Sequence, residues 1–355
     1  MLFAPGVPVV RAPTYRTPPG AGDGGIVWIP RGPSMSKPLI IRTDELDDES
    51  ASWVSQHADL AHVEVDSPEF QKFADEAAGL LVRTATTVDE ALLERMPRLK
   101  VVGRGGVGID NIDVGACQAR GVRVVYTPEA STQAVVEYTL AAMLDMVRPR
   151  IVLDEPVDRT EWASLRAEIV GFHQLNELSI GILGMGRIGS RLAGALGSLG
   201  CTMNYCDLRE IPAQDRHGAT PLPIEGLFAE SDVISIHVDG RSANRRLVNE
   251  SLLQNASSSL LLVNTSRGRV IAEDDLADWL QANPLAAVLL DVQEQEPPDP
   301  ANPLWELDNC FIAPHLASRT RTSLANMGRV VQDVVAVIQD EQPTWQADPS
   351  DPALA

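Results

Sequence analysis

Long apolar runs, cysteine and positive charge are all scarce in this sequence, and each shortage excludes something. No run approaches the ~20 apolar residues that a bilayer-spanning helix requires, so no such helix and no membrane partner are expected. The four cysteines, Cys117, Cys201, Cys206 and Cys310, form no C-x-x-C pair and no metal-ligand spacing. They read as reduced thiols of a cytoplasmic protein, and no metal site is expected. Lys and Arg number 29 against 49 Asp and Glu, a net charge of -20. That balance argues against nucleic acid and anionic lipid, so an anionic ligand must be drawn in by a local basic patch. What remains is ordinary for a globular protein: 44% hydrophobic and 22% charged residues over 355 positions, enough for about two domains.

The strongest pattern runs from Leu178 to Asp207. A short apolar stretch leads into Gly184-Met-Gly-Arg-Ile-Gly189. Ile188, Leu192, Leu196 and Leu199 then recur at helical spacing, Gly200 ends the helix, and Cys201–Cys206 is a second strand ending in Asp207. Each glycine has a separate task in such a turn. Gly184 lets the chain leave the strand sharply, Gly186 admits a pyrophosphate to the backbone, and Gly189 lets helix and strand pack closely. The helix N-terminus offers N–H groups and a positive dipole end to phosphate. Asp207 follows Gly189 by 18 residues, near the spacing at which an acid receives the adenosine ribose. Its charge favours NAD over a 2′-phosphorylated dinucleotide, with Arg209 as a partial offset.

Residues 1–36 are rich in Pro and Gly, lack apolar periodicity and read as a disordered extension, with Met35 a candidate start. From Pro38 to about Gly121 strands and helices alternate. Strands are expected at Leu39–Ile41, His62–Val65, Gly79–Arg83, Leu99–Val102 and Val122–Tyr126, with helices at Asp47–His57, Glu69–Ala78 and Asp89–Met96. Thr132–Val147 reads as a strongly apolar helix buried between two halves, and Arg148–Asn176 as less regular surface. Further strands are expected at Asp232–His237, Leu260–Asn264, Ala286–Asp291 and Cys310–Ala313, with a helix at Glu273–Gln281. Arg319–Gln339 reads as one long C-terminal helix, followed by a Pro- and Asp-rich tail from Gln342 that is expected to fray. Alternation of this kind implies parallel sheets flanked by helices, an α/β fold of two doubly wound domains, with ligands beyond the carboxyl ends of the strands.

Several strand ends carry candidate chemistry. Arg83 and the loop Gly103-Arg-Gly-Gly-Val-Gly108 suit an anion, the first by its bidentate fork and the second by exposed backbone N–H groups. Asn264-Thr-Ser-Arg267-Gly, Asp291 to Pro298 and Pro314-His315-Leu-Ala-Ser318 bring an arginine, acids and a histidine to one sheet edge. Oxidation of a hydroxy acid needs such a set: a cation for the carboxylate, a base titrating near neutrality and a carboxylate to fix that base's tautomer. His237 ends a strand near the nucleotide and reads as a packing residue. His57, His62, His173 and His217 belong to no constellation.

These motifs, in this order, resemble the D-isomer-specific 2-hydroxyacid dehydrogenase family over about Pro38–Gln339. The likeness is closest to its 3-phosphoglycerate dehydrogenase branch, in a short form without the C-terminal regulatory domain. The quoted motifs are joined by Val82–Val88, Ile109–Asp113, Thr127-Pro128 and Leu290-Asp-Val292 with Glu296-Pro297. The resemblance implies a flavodoxin-like substrate-binding domain over 37–134 and 319–345. It implies a Rossmann NAD-binding domain over 135–318, and leaves 346–355 as a frayed tail. It implies His315 as acid/base, Glu296 (rather than Glu294) as the residue that orients it, and Arg267 as the carboxylate ligand. NAD would be held by Val107, Gly184, Gly186, Arg187, Ile188, Gly189, Asp207, Val238, Thr265, Asp291, His315 and Ser318. Arg83 and the backbone of Gly105, Gly106, Val107 and Gly108 would hold the substrate with Arg267, in a cleft that closes. A homodimer through the NAD-binding domain is implied.

The chain departs from that pattern at Tyr126, at Asp239-Gly240, and at Gln293, where an aromatic is usual. Arg83 and Arg104 make 3-phosphoglycerate a candidate substrate; glyoxylate or hydroxypyruvate is the rival. A non-enzymatic NAD-sensing protein, like the corepressors built on this fold, is the alternative from another class.

Overall fold

The structure is a computed structural model, and it describes residues 37–348 except 149, 151, 152, 154 and 169. The extension over 1–36, the candidate start at Met35 and the end of the tail lie outside the described residues. The chain divides into two compact units, Gln133–Ala317 and, together, 37–132 with 318–348.

The second of these holds a five-stranded parallel sheet. Its strands are β1 (Leu39–Arg42), β2 (Asp59–His62), β3 (Ala77–Val82), β4 (Val101–Arg104) and β5 (Arg123–Tyr126), in the order β2-β1-β3-β4-β5. That is the flavodoxin-like winding. The central strands β3 and β4 are short and almost wholly buried, as in a sheet covered by helices, while the edge strand β2 exposes Asp59 and His62. Helix starts are fixed by acid caps: Asp47 accepts from Ser50 N, Asp89 from Leu92 N and Asp113 from Ala116 N.

The first unit holds seven parallel strands. They are β6 (Ser179–Leu183), β7 (Thr202–Cys206), β8 (Thr220–Pro221), β9 (Val233–Ile236), β10 (Leu261–Asn264), β11 (Ala287–Leu290) and β12 (Cys310–Ile312). Their order, β12-β11-β10-β9-β6-β7-β8, is the Rossmann winding with one added strand, and it reverses between β6 and β9. The helix Thr132–Val147 turns Val136, Met143, Met146 and Val147 into this unit's core.

Four expectations need correction. The second strand is Asp59–His62 rather than His62–Val65, because Leu60 and Ala61 pair with Ile40 and Ile41. Arg148–Asn176 contains a helix, Arg159–Glu168, whose polar residues give no apolar stripe to read. The C-terminal helix is two helices, Arg321–Gly328 and Val330–Ile338, joined at Arg329. Gly328 presses onto the start of the helix Asp48–His57, where a methyl on it would collide with Asp47 Oδ2 and Ser50 Oγ. The tail does not fray at once: buried Asp333 accepts from Thr344 N at 2.7 Å and Trp345 N at 3.2 Å, and Ala347 N donates to Val124 O at 2.8 Å. Among the described residues, no helix is long and apolar enough to cross a membrane.

Candidate active site

At the reversal point of the seven-stranded sheet, β6 ends in the glycine turn. Gly184 has φ of +98°, which a side chain would strain, and a methyl there would lie 2.8 Å from the backbone of His237 and Val238. A methyl on Gly189 would collide with the Gly184 carbonyl oxygen. Gly186 differs: nothing lies within 4 Å of where its Cβ would stand. The turn therefore needs two of its glycines for its own shape, while the third leaves open space at the start of the helix Arg187–Ser198. In that helix the backbone ladder opens with Ser190 N donating to Gly186 O. The donors of its first turn precede the ladder, the arrangement that receives a phosphate.

Asp207 reaches the same turn. Its side chain is 10% exposed, Oδ2 accepts from Met185 N at 2.7 Å, and Oδ1 accepts from Arg209 N at 2.8 Å and Arg209 Nε at 3.3 Å. The acid thus shapes the turn, and Arg209 sits on it as the sequence suggested. Val238 stands beside Gly184.

On the other side of the reversal, three neighbouring strands deliver the candidate chemistry. Arg267 follows β10, Glu296 follows β11 and His315 follows β12. His315 Nδ1 and Glu296 Oε2 are 2.8 Å apart, with both side chains a little over one-third exposed. Partial burial alone would raise the Glu296 carboxyl. The His315 hydrogen bond and charge, the Gln293 N–H and the Arg267 charge outweigh it and hold the carboxyl below its ordinary value. Glu294 faces elsewhere, toward Arg245 and Arg246 at 3.7 and 3.6 Å. Arg267 Nη1 donates to Ser266 O, and Thr265 lies 3.1 Å from Thr139 on the long helix, hydroxyl to hydroxyl.

Asp291 is fully buried. Its carboxylate accepts from Leu316 N at 2.7 Å and Ala317 N at 2.8 Å, and its carbonyl accepts from His315 N at 2.9 Å. Asp291, which the resemblance places among the NAD ligands, anchors the His315 loop through these bonds. Tyr138 joins it: burial, then the charge of Asp291 and a hydrogen bond to it, push the phenol up to about 12. No motif marked Tyr138, which lies inside an apolar helix. His237 meets Ser235 Oγ through Nε2 at 2.8 Å, while its Nδ1 is buried without a partner, and desolvation lowers the ring to about 3.

In the five-stranded unit, the glycine loop offers less than its sequence suggests. Gly105 N donates to Val82 O and Gly106 N to Thr127 Oγ1, so the donors left for a ligand are those of Val107 and Gly108. Arg104 is buried and its guanidinium folds against Gly106. Arg83 lines a cavity of about 250 Å³ with Arg42, Arg319 and Met327, and its Nη2 donates to Met327 Sδ at 3.5 Å. Burial and the charge of Arg319 bring its guanidinium below its ordinary value, against the pull of Asp44. Ser318 belongs to this unit. The four cysteines are free thiols, with burial pushing Cys117 up to about 11 and Cys310 up to about 12. Among the described residues no group could hold a metal ion.

Comparison with known proteins agrees with this geometry. Residues 140–317 match the family described as D-isomer specific 2-hydroxyacid dehydrogenase, NAD binding domain. The chain is 34% identical to a glyoxylate reductase of Aeropyrum pernix over 322 residues, covering 87% of this chain and 95% of that one. It is 33% identical to a D-3-phosphoglycerate dehydrogenase of Archaeoglobus fulgidus over 260 residues, covering 72% of this chain but only 48% of the relative's length. The solved D-lactate dehydrogenase of Aquifex aeolicus, complexed with NAD and lactic acid, superposes with a TM-score of 0.71 at 26% identity, covering 85% of this chain and 96% of that one.

Proposed function

Because this chain belongs to the D-isomer-specific 2-hydroxyacid dehydrogenase family, we propose that it is an NAD-dependent oxidoreductase acting at C2 of a short D-2-hydroxy acid or its 2-keto acid. The observation that carries the reading is the 2.8 Å contact of His315 with Glu296, with Arg267 on the adjoining strand exit. NAD, when bound, supplies or takes up the hydride. The open space at Gly186 and the donors of the following helix fit its pyrophosphate, with Asp207 beside them for the ribose.

The residues divide the remaining work. With Nδ1 engaged by Glu296, Nε2 of His315 is the nitrogen left to exchange a proton with the substrate oxygen. The carboxylate fixes the ring's orientation. Arg267 supplies a planar cation for the substrate carboxylate. Asp291 holds the His315 loop, and Tyr138 interacts with Asp291. The near-complete cover of the glyoxylate reductase relative supports glyoxylate as substrate, with hydroxypyruvate beside it in the test below. Arg83, with Arg319 beside it, supports phosphohydroxypyruvate as the second reading. Exposed Leu144, Trp162 and Phe172 in one stretch of the seven-stranded unit support a homodimer through it, which light scattering at twice the chain mass would establish.

The test is NADH oxidation against phosphohydroxypyruvate, hydroxypyruvate, glyoxylate, pyruvate and 2-ketoglutarate, with His315→Ala alongside. The expected result is turnover of at least one keto acid, lost in large part in the variant while NADH affinity stays. Tight NADH binding with no turnover of any acid would turn the assignment toward an NAD-sensing binding protein.

A further inference from the structure

Gln293 stands where the three strand exits meet, and it is 5% exposed. Its Nε2 donates to Leu290 O at 3.0 Å and to Ala313 O at 3.2 Å. The first carbonyl closes β11 and the second lies just past the end of β12. Its backbone N–H donates to Glu296 Oε1 at 3.3 Å, while Oε2 of the same carboxylate meets His315. Gly268, the residue after Arg267, packs so closely that a methyl on it would collide with the Gln293 backbone. One residue therefore touches the segments that carry Arg267, Glu296 and His315.

The amide does what an apolar side chain of the same volume could not. It donates two hydrogens to two carbonyls on different strand exits. Leu290 O also accepts from Ala313 N, but Ala313 O takes its hydrogen bond from the Gln293 amide. Ala313 lies two residues before His315, whose backbone is left-handed at φ of 54°. A non-glycine residue holds that conformation only where its surroundings fix it. The path of the chain at Ala313 thus sets one side of the approach to His315, with Asp291 anchoring the residues that follow.

We propose that the Gln293 amide is a positioning residue for proton transfer: it ties the β12 exit to β11 and so holds His315 at hydrogen-bond distance from Glu296. This rests on the reading of that pair as the acid/base. The test is a double-mutant cycle of Gln293→Met and Glu296→Gln. It uses whichever of the five keto acids named above the wild type reduces fastest. Gln293→Met lowers kcat about 10-fold or more, since small misplacements of reacting groups cost that much. KM for the keto acid and Kd for NADH stay within about twofold. The acidic limb of kcat/KM moves to higher pH, because a carboxylate loosened from His315 loses the contact that holds it below its ordinary value. In the Glu296→Gln background the same change costs less than about threefold. Equal losses in both backgrounds with an unmoved pH profile would reduce Gln293 to a packing residue and overturn the proposal. If Glu296→Gln alone loses nothing, or the wild type reduces none of the five acids, the acid/base reading falls first and the proposal with it. If the Met variant does not fold, Gln293→Asn enters the same cycle; its amide is one carbon short of bridging both carbonyls, and the same two results decide.

Discussion

His237 is half-buried as a residue, but its Nδ1 is sealed from solvent, which makes the seven-stranded unit sensitive to acid in a way that can be calculated. Desolvation lowers this histidine to about 3 from an ordinary 6.5, and its Nδ1 has no partner to accept or stabilise a proton. Below about pH 6.5 the unfolded chain binds a proton at this position that the folded chain does not. Stability therefore falls as pH drops through the window from 6.5 toward 3, and the loss is absent above it. Each pH unit inside the window is worth about 1.4 kcal/mol. At pH 4.5, two units in, the cost is about 2–3 kcal/mol, or roughly 100-fold in the opening equilibrium. His237→Gln keeps an amide within reach of Ser235 and removes the titration. Hydrogen exchange of peptides covering β6 and β9, compared at equal pH so that intrinsic rates cancel, reads the opening directly. The variant should match the wild type within about 1 kcal/mol at pH 7.5, and protect these strands roughly 100-fold better, relative to that baseline, at pH 4.5. A wild type whose pH slope parallels the variant's would mean that His237 protonates in place, and the reasoning from its buried nitrogen would be wrong.

Other outcomes follow from the same coordinates. Gly186→Ala meets open space, so the melting temperature should stay within about 2 °C, while NADH affinity falls 10-fold or more; Gly189→Ala collides with the Gly184 carbonyl and should lose stability as well. Equal stability of the two variants, by calorimetry, would contradict this division of the glycines. Glu296 is held below its ordinary carboxylate value, so its contact with His315 should survive into mildly acidic buffer and disappear only as pH falls through that lowered value. Glu296→Gln should abolish that acidic limb in the pH–rate profile and reduce kcat at neutral pH by about 10-fold or more. Asp207→Ser removes the acceptor of Met185 N and the charge proposed to meet the ribose, so NADH affinity should fall by about 10-fold and any preference over NADPH should narrow. An undiminished preference in parallel titrations would place the discrimination elsewhere.

The strand, turn, helix and strand from Ser179 to Cys206 were legible because their pattern is local: an apolar run, glycines at fixed offsets and apolar residues at helical spacing. That acids and a histidine share one sheet edge was legible from the strand ends, but the choice of Glu296 as the partner of His315 came from the resemblance. Other features depend on partners far along the chain. Gly106 loses its N–H to Thr127, the tail is pinned by Asp333, and Gln293 reaches Ala313. Periodicity carries no trace of such pairings. The strand Thr220–Pro221 is too short to leave a period, and the helix Arg159–Glu168 has too polar a surface.

Parallel strands have one further consequence, for anyone who wishes to attach something to this protein. Because β10, β11 and β12 all point the same way, their entry loops lie at the edge opposite Arg267, Glu296 and His315. A four-residue strand spans about 13 Å. Asn309, whose side chain donates to Leu280 O, Asn283 O and Ala286 O, knots the entries of β11 and β12 and should be left alone. Ser258 and Ser259, exposed before β10, carry no such knot. A reporter peptide or an immobilisation tag spliced between them would sit a full strand length from the chemistry, giving an engineer a handle that leaves the working edge of the sheet untouched.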